Sequence, residues 1–205
     1  MNELINAALA DINVCLPGEI ISYDGTTATV KPAIPKQLAN GETLPAPQIV
    51  RVPVCWPIAD GGRALITVPL KPGDPVKLNF SQRSLENWLS GSNQAPDDPR
   101  QFDLTDCFAS PVMRPGMSAD TKNVTVQYGA GVLKIAPSGD MTIDAPSLTI
   151  NAPTIVNGLL TYTQGMVGSG GENTASITGD VVANGISLVH HKHPGDSGGT
   201  TGEPI

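Results

Sequence analysis

The stretch LKIAPSGDMTIDAPSLTINAPT, residues 133–154, decides how the second half of this chain folds. Ile135, Ile143 and Ile150 each stand shortly before an Ala-Pro pair, at intervals of eight and seven residues. Thr, Ile and Leu alternate between those points, as in short strands. Pro137, Pro146 and Pro153 cannot donate to a strand ladder, so they mark strand ends. Short strands repeating between turns at Pro and Gly predict a β-solenoid or an intertwined β-prism.

The surrounding composition supports this reading. Residues 123–205 contain two aromatics, Tyr128 and Tyr162, and eight charged side chains. An ordinary core leans on aromatics for much of its buried area. Strands this short cannot bury their Ile and Leu row within one chain. Three copies wound about a common axis can do so, and they also leave no open sheet edges. A homotrimer is the expected assembly.

Upstream the pattern differs. GEIISYDGTTATVKPAI, residues 18–34, reads as a hairpin with Asp24-Gly25 at its turn and β-branched residues on both arms. Further strands are expected over 48–56, 63–70 and 75–81, separated by turns at Gly61-Gly62 and 71–74, with a short helical piece over 84–89 and a loop over 91–101. That density of short strands predicts a small barrel of OB-fold type. Leu4, Ile5, Ala8, Leu9 and Ile12 follow helical spacing, giving a short amphipathic helix over 3–13. The expected organisation is an N-terminal helical segment (1–16), an OB-fold-like domain (17–114), a trimeric β-helix shaft (115–185) and a tip (186–205). The fold class is all-β.

Composition also excludes some functions. The 205 residues carry a formal net charge of −7, which argues against a nucleic-acid partner, because phosphate binding needs a basic face. No apolar run approaches the length of a membrane-spanning helix. MNELINAALADIN lacks the basic start and long apolar core of a signal peptide, so synthesis in a cytoplasm is expected. Cys15, Cys55 and Cys107 form no CxxC pair and are expected to be buried, reduced thiols.

All three histidines fall in HHKHPGDSGG, residues 190–199. In an extended strand residues two apart project to one side, about 6.6 Å apart. His191 and His193 would then face together, with His190 and Lys192 facing away. Two imidazoles hold a metal weakly, whereas the six of a trimer could close an octahedron around one ion. Structural zinc prefers four tetrahedral ligands, while imidazole also suits iron and nickel, so one Fe(II) per trimer is the expectation. A closed site of that kind leaves no position for substrate and acts as a staple. The competing reading is a solvated His-rich tail that binds metal only incidentally. Strand parity complicates the first reading, because Ile186 and Leu188 share phase with His190 rather than with the HxH pair. Either a bulge or turn near Val189 resets the phase, or Val189 continues the inward face.

Other chemistry is thin. Asp103 with Asp106 and Asp140 with Asp144 read as solvated or turn-forming carboxylates, and GSGGENT (168–174) lacks the Lys and following helix of a phosphate loop.

The tail GDVVANGISLVHHKHPGDSGGTTGEP (179–204) resembles the C-terminal tip of central spike proteins from contractile-tail bacteriophages, the Mu-type spike family. The matching elements are Gly185-Ile186-Ser187-Leu188, His191-Lys192-His193 and Thr201-Gly202-Glu203-Pro204. LPAPQIVRVPVCWP, ITVPLKPGDPVKLNFSQRSLENW and DPRQFDLTDCFASP are similar to the OB-type N-terminal domain of that family. The resemblance implies a homotrimeric needle in the virion, docked by its OB-type domain on the baseplate hub and tail tube. It implies a triple-stranded β-helix ending in one iron ion held by His191 and His193 of each chain, with His190 and Lys192 outside the ligand set. Some relatives also carry calcium or chloride in the shaft, and no Asp cluster here places them. The implied action is mechanical piercing of the host outer membrane, without catalysis. Two other classes compete. A receptor-binding fibre or adhesin would favour exposed aromatics, and a metal-dependent hydrolase would need an open metal position.

Overall fold

A computed structural model describes residues 9, 12–38, 40–168, 175–195 and 197–204. It is nearly all β, as the strand periodicity requires, and divides into two compact units, Met1–Pro146 and Ser147–Ile205. The helix expected over 3–13 and the segment 168–174 lie outside the described residues, apart from Leu9, Ile12, Asn13 and Gly168.

The first unit is organised by the hairpin of β1 (Cys15–Tyr23) and β2 (Thr27–Pro32). Its turn is tight because the Asp24 carboxylate accepts backbone N–H bonds from Thr26 and Thr27 at 2.8 and 2.7 Å, and Gly25 adopts the left-handed φ of 96° that a side chain would strain. Next come two-residue strands β3 (Lys36–Gln37) and β4 (Thr43–Leu44), then β5 (Ile49–Pro53), β6 (Ile58–Ala59), β7 (Ala64–Leu65) and β8 (Pro75–Phe80). A helical turn α1 (Glu86–Leu89) and strand β9 (Cys107–Pro111) follow.

The main sheet runs β5-β2-β1-β8-β9. Its outer strands approach one another: Val54 bridges Ala109 in parallel, and the Cys55 N–H donates to the Ala109 carbonyl at 2.8 Å. The result is a five-stranded, partly closed barrel. Inward residues alternate along each strand, so Ile20, Val30, Val52, Val76 and Leu78 are all at most 1% exposed. The loop carrying Gly73-Asp74 is tied to β1, since Ile20 N–H donates to the Asp74 carbonyl at 2.9 Å and Gly73 N–H donates to the Ile20 carbonyl at 2.8 Å.

Three expectations need correction here. The strand over 63–70 shrinks to the Ala64–Leu65 pair of a short hairpin, and Ile66 and Val68 stay exposed, because this segment joins no barrel ladder. Only Cys107 is buried, while Cys15 and Cys55 are exposed. Burial pushes the Cys107 thiol up to about 12, with the Asp106 charge adding to the effect. Asp106 is neither solvated nor a turn former: its side chain is 4% exposed and takes Arg100 Nε at 2.6 Å. Its other oxygen accepts the Leu85 N–H at 2.9 Å and Arg100 Nη2 at 3.2 Å. Arg100 also reaches Asp98 at 2.8 Å. These bonds raise the guanidinium's pKa further, the Asp106 hydrogen bond first, and they lock the loop before β9 onto the start of α1. Sequence proximity of Arg100 to Asp106 was the available signal.

After the barrel, β10 (Val124–Tyr128), β11 (Gly131–Ile135) and β12 (Met141–Asp144) form an antiparallel three-stranded meander. The first two repeats of the 133–154 stretch supply β11 and β12; the third, around Leu148 and Ile150, has no strand assignment in the single chain. Among the described residues none beyond Ala109 is buried. Leu148, Ile150, Ile155 and Leu159 are 62%, 60%, 84% and 94% exposed. Large apolar side chains thus follow one another in exposed positions along this segment.

Candidate metal centre

The second unit ends in a small hairpin and a folded-back tail. Strands β13 (Val182–Ala183) and β14 (Ile186–Ser187) are joined by Asn184-Gly185. Both turn residues have positive φ, 51° and 81°, the signature of a two-residue turn that matches strand twist and favours Asn-Gly. Residues 188–190 then turn again. That turn resolves the parity question, because it resets the phase between Ile186 and the HxH pair.

Ser187 organises the turn. Its hydroxyl oxygen accepts the His190 N–H at 2.7 Å, and its carbonyl lies 2.8 Å from His191 Nδ1. A carbonyl can only accept, so Nδ1 is the donor in this contact and the ring is held by it. Asp180 accepts the Val189 N–H at 3.1 Å. Hydrogen bonding from the Ser187 hydroxyl, chiefly, and from Val189 holds the Asp180 carboxyl below its ordinary range.

The tail returns alongside the histidines. His193 N–H donates to Thr201 Oγ1 at 3.0 Å, and Thr201 N–H donates to the His193 carbonyl at 2.9 Å. Pro194 bridges Thr200, and Gly195 N–H donates to the Gly199 carbonyl at 2.7 Å. A Cβ at Gly195 would come within 3.2 Å of that carbonyl oxygen, a tight approach that a side chain would push apart by a few tenths of an ångström.

The two expected ligands are brought together: the His191 and His193 rings stand edge to face with centroids 5.0 Å apart. His190 is directed elsewhere, with Nδ1 3.5 Å from Glu203 Oε1. Among the described residues no group of three or more His, Cys, Asp or Glu converges within one chain. The donor set on this turn is two adjacent imidazoles, His191 and His193, a ligand type that suits zinc, iron and nickel. Sequence reading found both rings but missed Ser187, Asp180 and Thr201, whose roles depend on turns that strand periodicity does not encode.

Fold and site together define an all-β protein with its buried core in the first unit and a histidine-bearing turn in the second. Both units contain a match to a known family. A model described as the phage protein Gp138 N-terminal domain covers residues 16–112, and one described as the GpV Apex motif covers residues 185–204. The spike protein of Escherichia phage P2 is 36% identical over 99 residues, 42% of this chain and 46% of that protein. The chain thus spans less than half the length of the curated relative it matches. These matches support a phage baseplate spike family.

Proposed function

We propose that this protein is the central spike of a phage tail baseplate, a structural component of the virion tail that acts as a homotrimer and pierces the host outer membrane. The observation that carries this reading is the pairing of a barrel-type N-terminal domain with an apex motif whose HxH rings stand side by side. The barrel, read as OB-type from its strand order, docks on the hub and tail tube. Residues beyond it form an intertwined shaft, which would cover the apolar side chains left exposed in one chain. His191 and His193 of three chains would hold one iron ion, which supplies a chemically inert cross-link between termini. The chain's own residues do the positioning: Ser187 fixes the His191 ring and Thr201 anchors the His193 backbone.

Chain ends are the first places to fray, and a spike that meets a membrane end-on needs an end that does not. The described tail beyond Val189 carries no exposed large apolar side chain that would broaden the point or adhere to lipid. Native mass spectrometry combined with elemental analysis tests the reading. One transition metal per three chains of 21.2 kDa is expected. A metal-free monomer after gentle purification would overturn it.

A further inference from the structure

The segment joining β8 to β9 folds back on itself around a cleft of about 500 Å³, lined wholly by residues 81–96. Trp88 stands in this cleft, 52% exposed. The other aromatics of the barrel are turned away from solvent: Tyr23, Trp56, Phe102 and Phe108 are half-buried and Phe80 is buried. An edge contact with Phe108, centroids 5.6 Å apart and planes at 68°, holds the indole in place. Around it lie Arg83, Asn87, Ser92, Asn93 and Gln94. The walls are tied to each other. Asn87 Nδ2 donates to the Ala95 carbonyl and the Ser92 N–H donates to the Asn87 carbonyl, both at 2.9 Å. The Gln94 N–H donates to Ser92 Oγ at 3.2 Å, and the bond from Leu85 N–H to Asp106 pins the base. Among the described residues the side chains of Arg83, Asn93 and Gln94 make no hydrogen bond.

We propose that this cleft binds a saccharide, with one pyranose ring stacked on Trp88 and its hydroxyls bonded by the amides around it. The proposal goes beyond the spike reading and needs neither the trimer nor the metal.

A pyranose presents two kinds of surface at once. Its ring C–H groups form apolar faces that pack on an indole, and its hydroxyls radiate from the rim as donors and acceptors. Trp88 supplies flat area for the first. Asn and Gln amides carry a donor and an acceptor side by side, which suits the dual character of a hydroxyl. The cleft falls within the range of about 300–1,000 Å³ common to small-molecule sites, and the bonds across its walls form it before any ligand arrives. Two other occupants fit less well. A protein partner needs apolar neighbours around an aromatic anchor, and Trp88 is the one exposed large apolar side chain within 81–96. A nucleic-acid strand needs a cationic groove. Arg83 is the lone cation within 81–96, set against Glu86 and the Asp97-Asp98 pair that follows.

The test titrates the full chain with three trisaccharides, of N-acetylglucosamine, of glucose and of galacturonic acid, read by saturation-transfer NMR. At least one should bind with half-saturation on the order of 1 mM, as expected for one stacked ring with a few hydrogen bonds. Which of them binds separates amino-sugar, neutral and acidic sources. Trp88→Ala should weaken that binding at least tenfold, and Trp88→Phe should recover part of it. Asn93→Ala with Gln94→Ala should also weaken it several-fold. These two side chains are exposed and hold nothing else, so the pair decides the matter if Trp88→Ala disturbs the loop. Trp56, bonded to Tyr23, reports through its emission that the barrel is intact. Tyr128→Ala, which removes an exposed aromatic outside the cleft, should bind like the unsubstituted protein. Absence of binding by all three trisaccharides at tens of millimolar overturns the proposal, as does binding that survives both the Trp88 and the Asn93–Gln94 substitutions. A lower native mass for Trp88→Ala, with no sugar bound by the unsubstituted protein, overturns it too and makes the cleft a contact between chains.

Discussion

At the scale of single residues, the first half of the chain is held by a few side chains whose roles follow from burial. Asp106 satisfies a backbone N–H at the head of α1 and two nitrogens of Arg100 from an almost fully buried position. Asp106→Ala leaves all three donors without this acceptor. Hydrogen bonds to charged groups are worth roughly 1.5–3 kcal/mol, and breaking a buried pair costs about 3–5 kcal/mol. Because Arg100 is 29% exposed and keeps Asp98, the lower end applies. Urea unfolding followed by tryptophan emission should show a loss of about 2–3 kcal/mol; a loss below about 0.5 kcal/mol would mean the bonds are replaced by water. The cysteines give an independent check on the barrel. Cys15 and Cys55 are exposed, while Cys107 is buried with its thiol pushed up to about 12. At pH 8 a thiol reagent should modify two groups in the folded chain and the third only in denaturant. Rapid modification of all three would show that β9 is not packed as described.

At the scale of elements, backbone approach sets the tolerances. Gly18 sits in β1 between β2 and β8, paired with Pro32 on one side and Val76 on the other. A Cβ there would lie 2.9 Å from Leu78 Cδ1, 3.0 Å from Leu78 Cγ and 3.2 Å from the Lys31 carbonyl oxygen. Leu78 is itself fully buried and has nowhere to go. Overpacking of this kind costs about 1–3 kcal/mol, so Gly18→Ala should lower the barrel's unfolding midpoint in urea with an unchanged slope. An unaltered midpoint would show that Leu78 can repack. The same scale shows why parts of the fold were legible and others were not. The β1–β2 hairpin, β5, β8 and α1 carry their pattern locally, as alternation, β-branching and Asp-Gly or Gly-Asp turns. The third repeat at 148–150 has the same alternation as 141–144 but no strand within one chain, because periodicity reports a preference and not the presence of a neighbour to pair with. Residues 63–70 failed for a related reason: their apolar alternation faces no ladder. At the tip, both rings were legible as HxH, whereas the turn at 188–190 and the Ser187 contacts were not, since turns placed by tertiary hydrogen bonds leave little trace in residue type.

At the scale of the whole molecule, the buried core and the candidate metal site fall in different units of the chain. Residues up to Ala109 enclose a core of their own, while the described residues beyond it enclose none. If the HxH pair closes the far end of a trimer, metal and assembly are separable. In such a trimer the exposed apolar side chains upstream of the tip would supply most of the contact, so removing the imidazoles should loosen the end without dissolving the assembly. For His191→Ala combined with His193→Ala, the metal content of purified protein should fall at least tenfold, the native mass should stay at three chains, and limited proteolysis should clip the sequence after Val189 several times faster than in the unsubstituted protein. Ser187→Ala should fall in between: it removes the hydroxyl that holds the His190 N–H and Asp180 but keeps the carbonyl against His191 Nδ1, and supporting contacts of this kind are worth about 10–100-fold in metal affinity. Chelation of the unsubstituted protein should reproduce the protease sensitivity of the double variant. Double-variant protein with undiminished metal would place the ion on other ligands, and loss of trimeric mass with the metal would mean that the tip, rather than the apolar shaft, holds the three chains together.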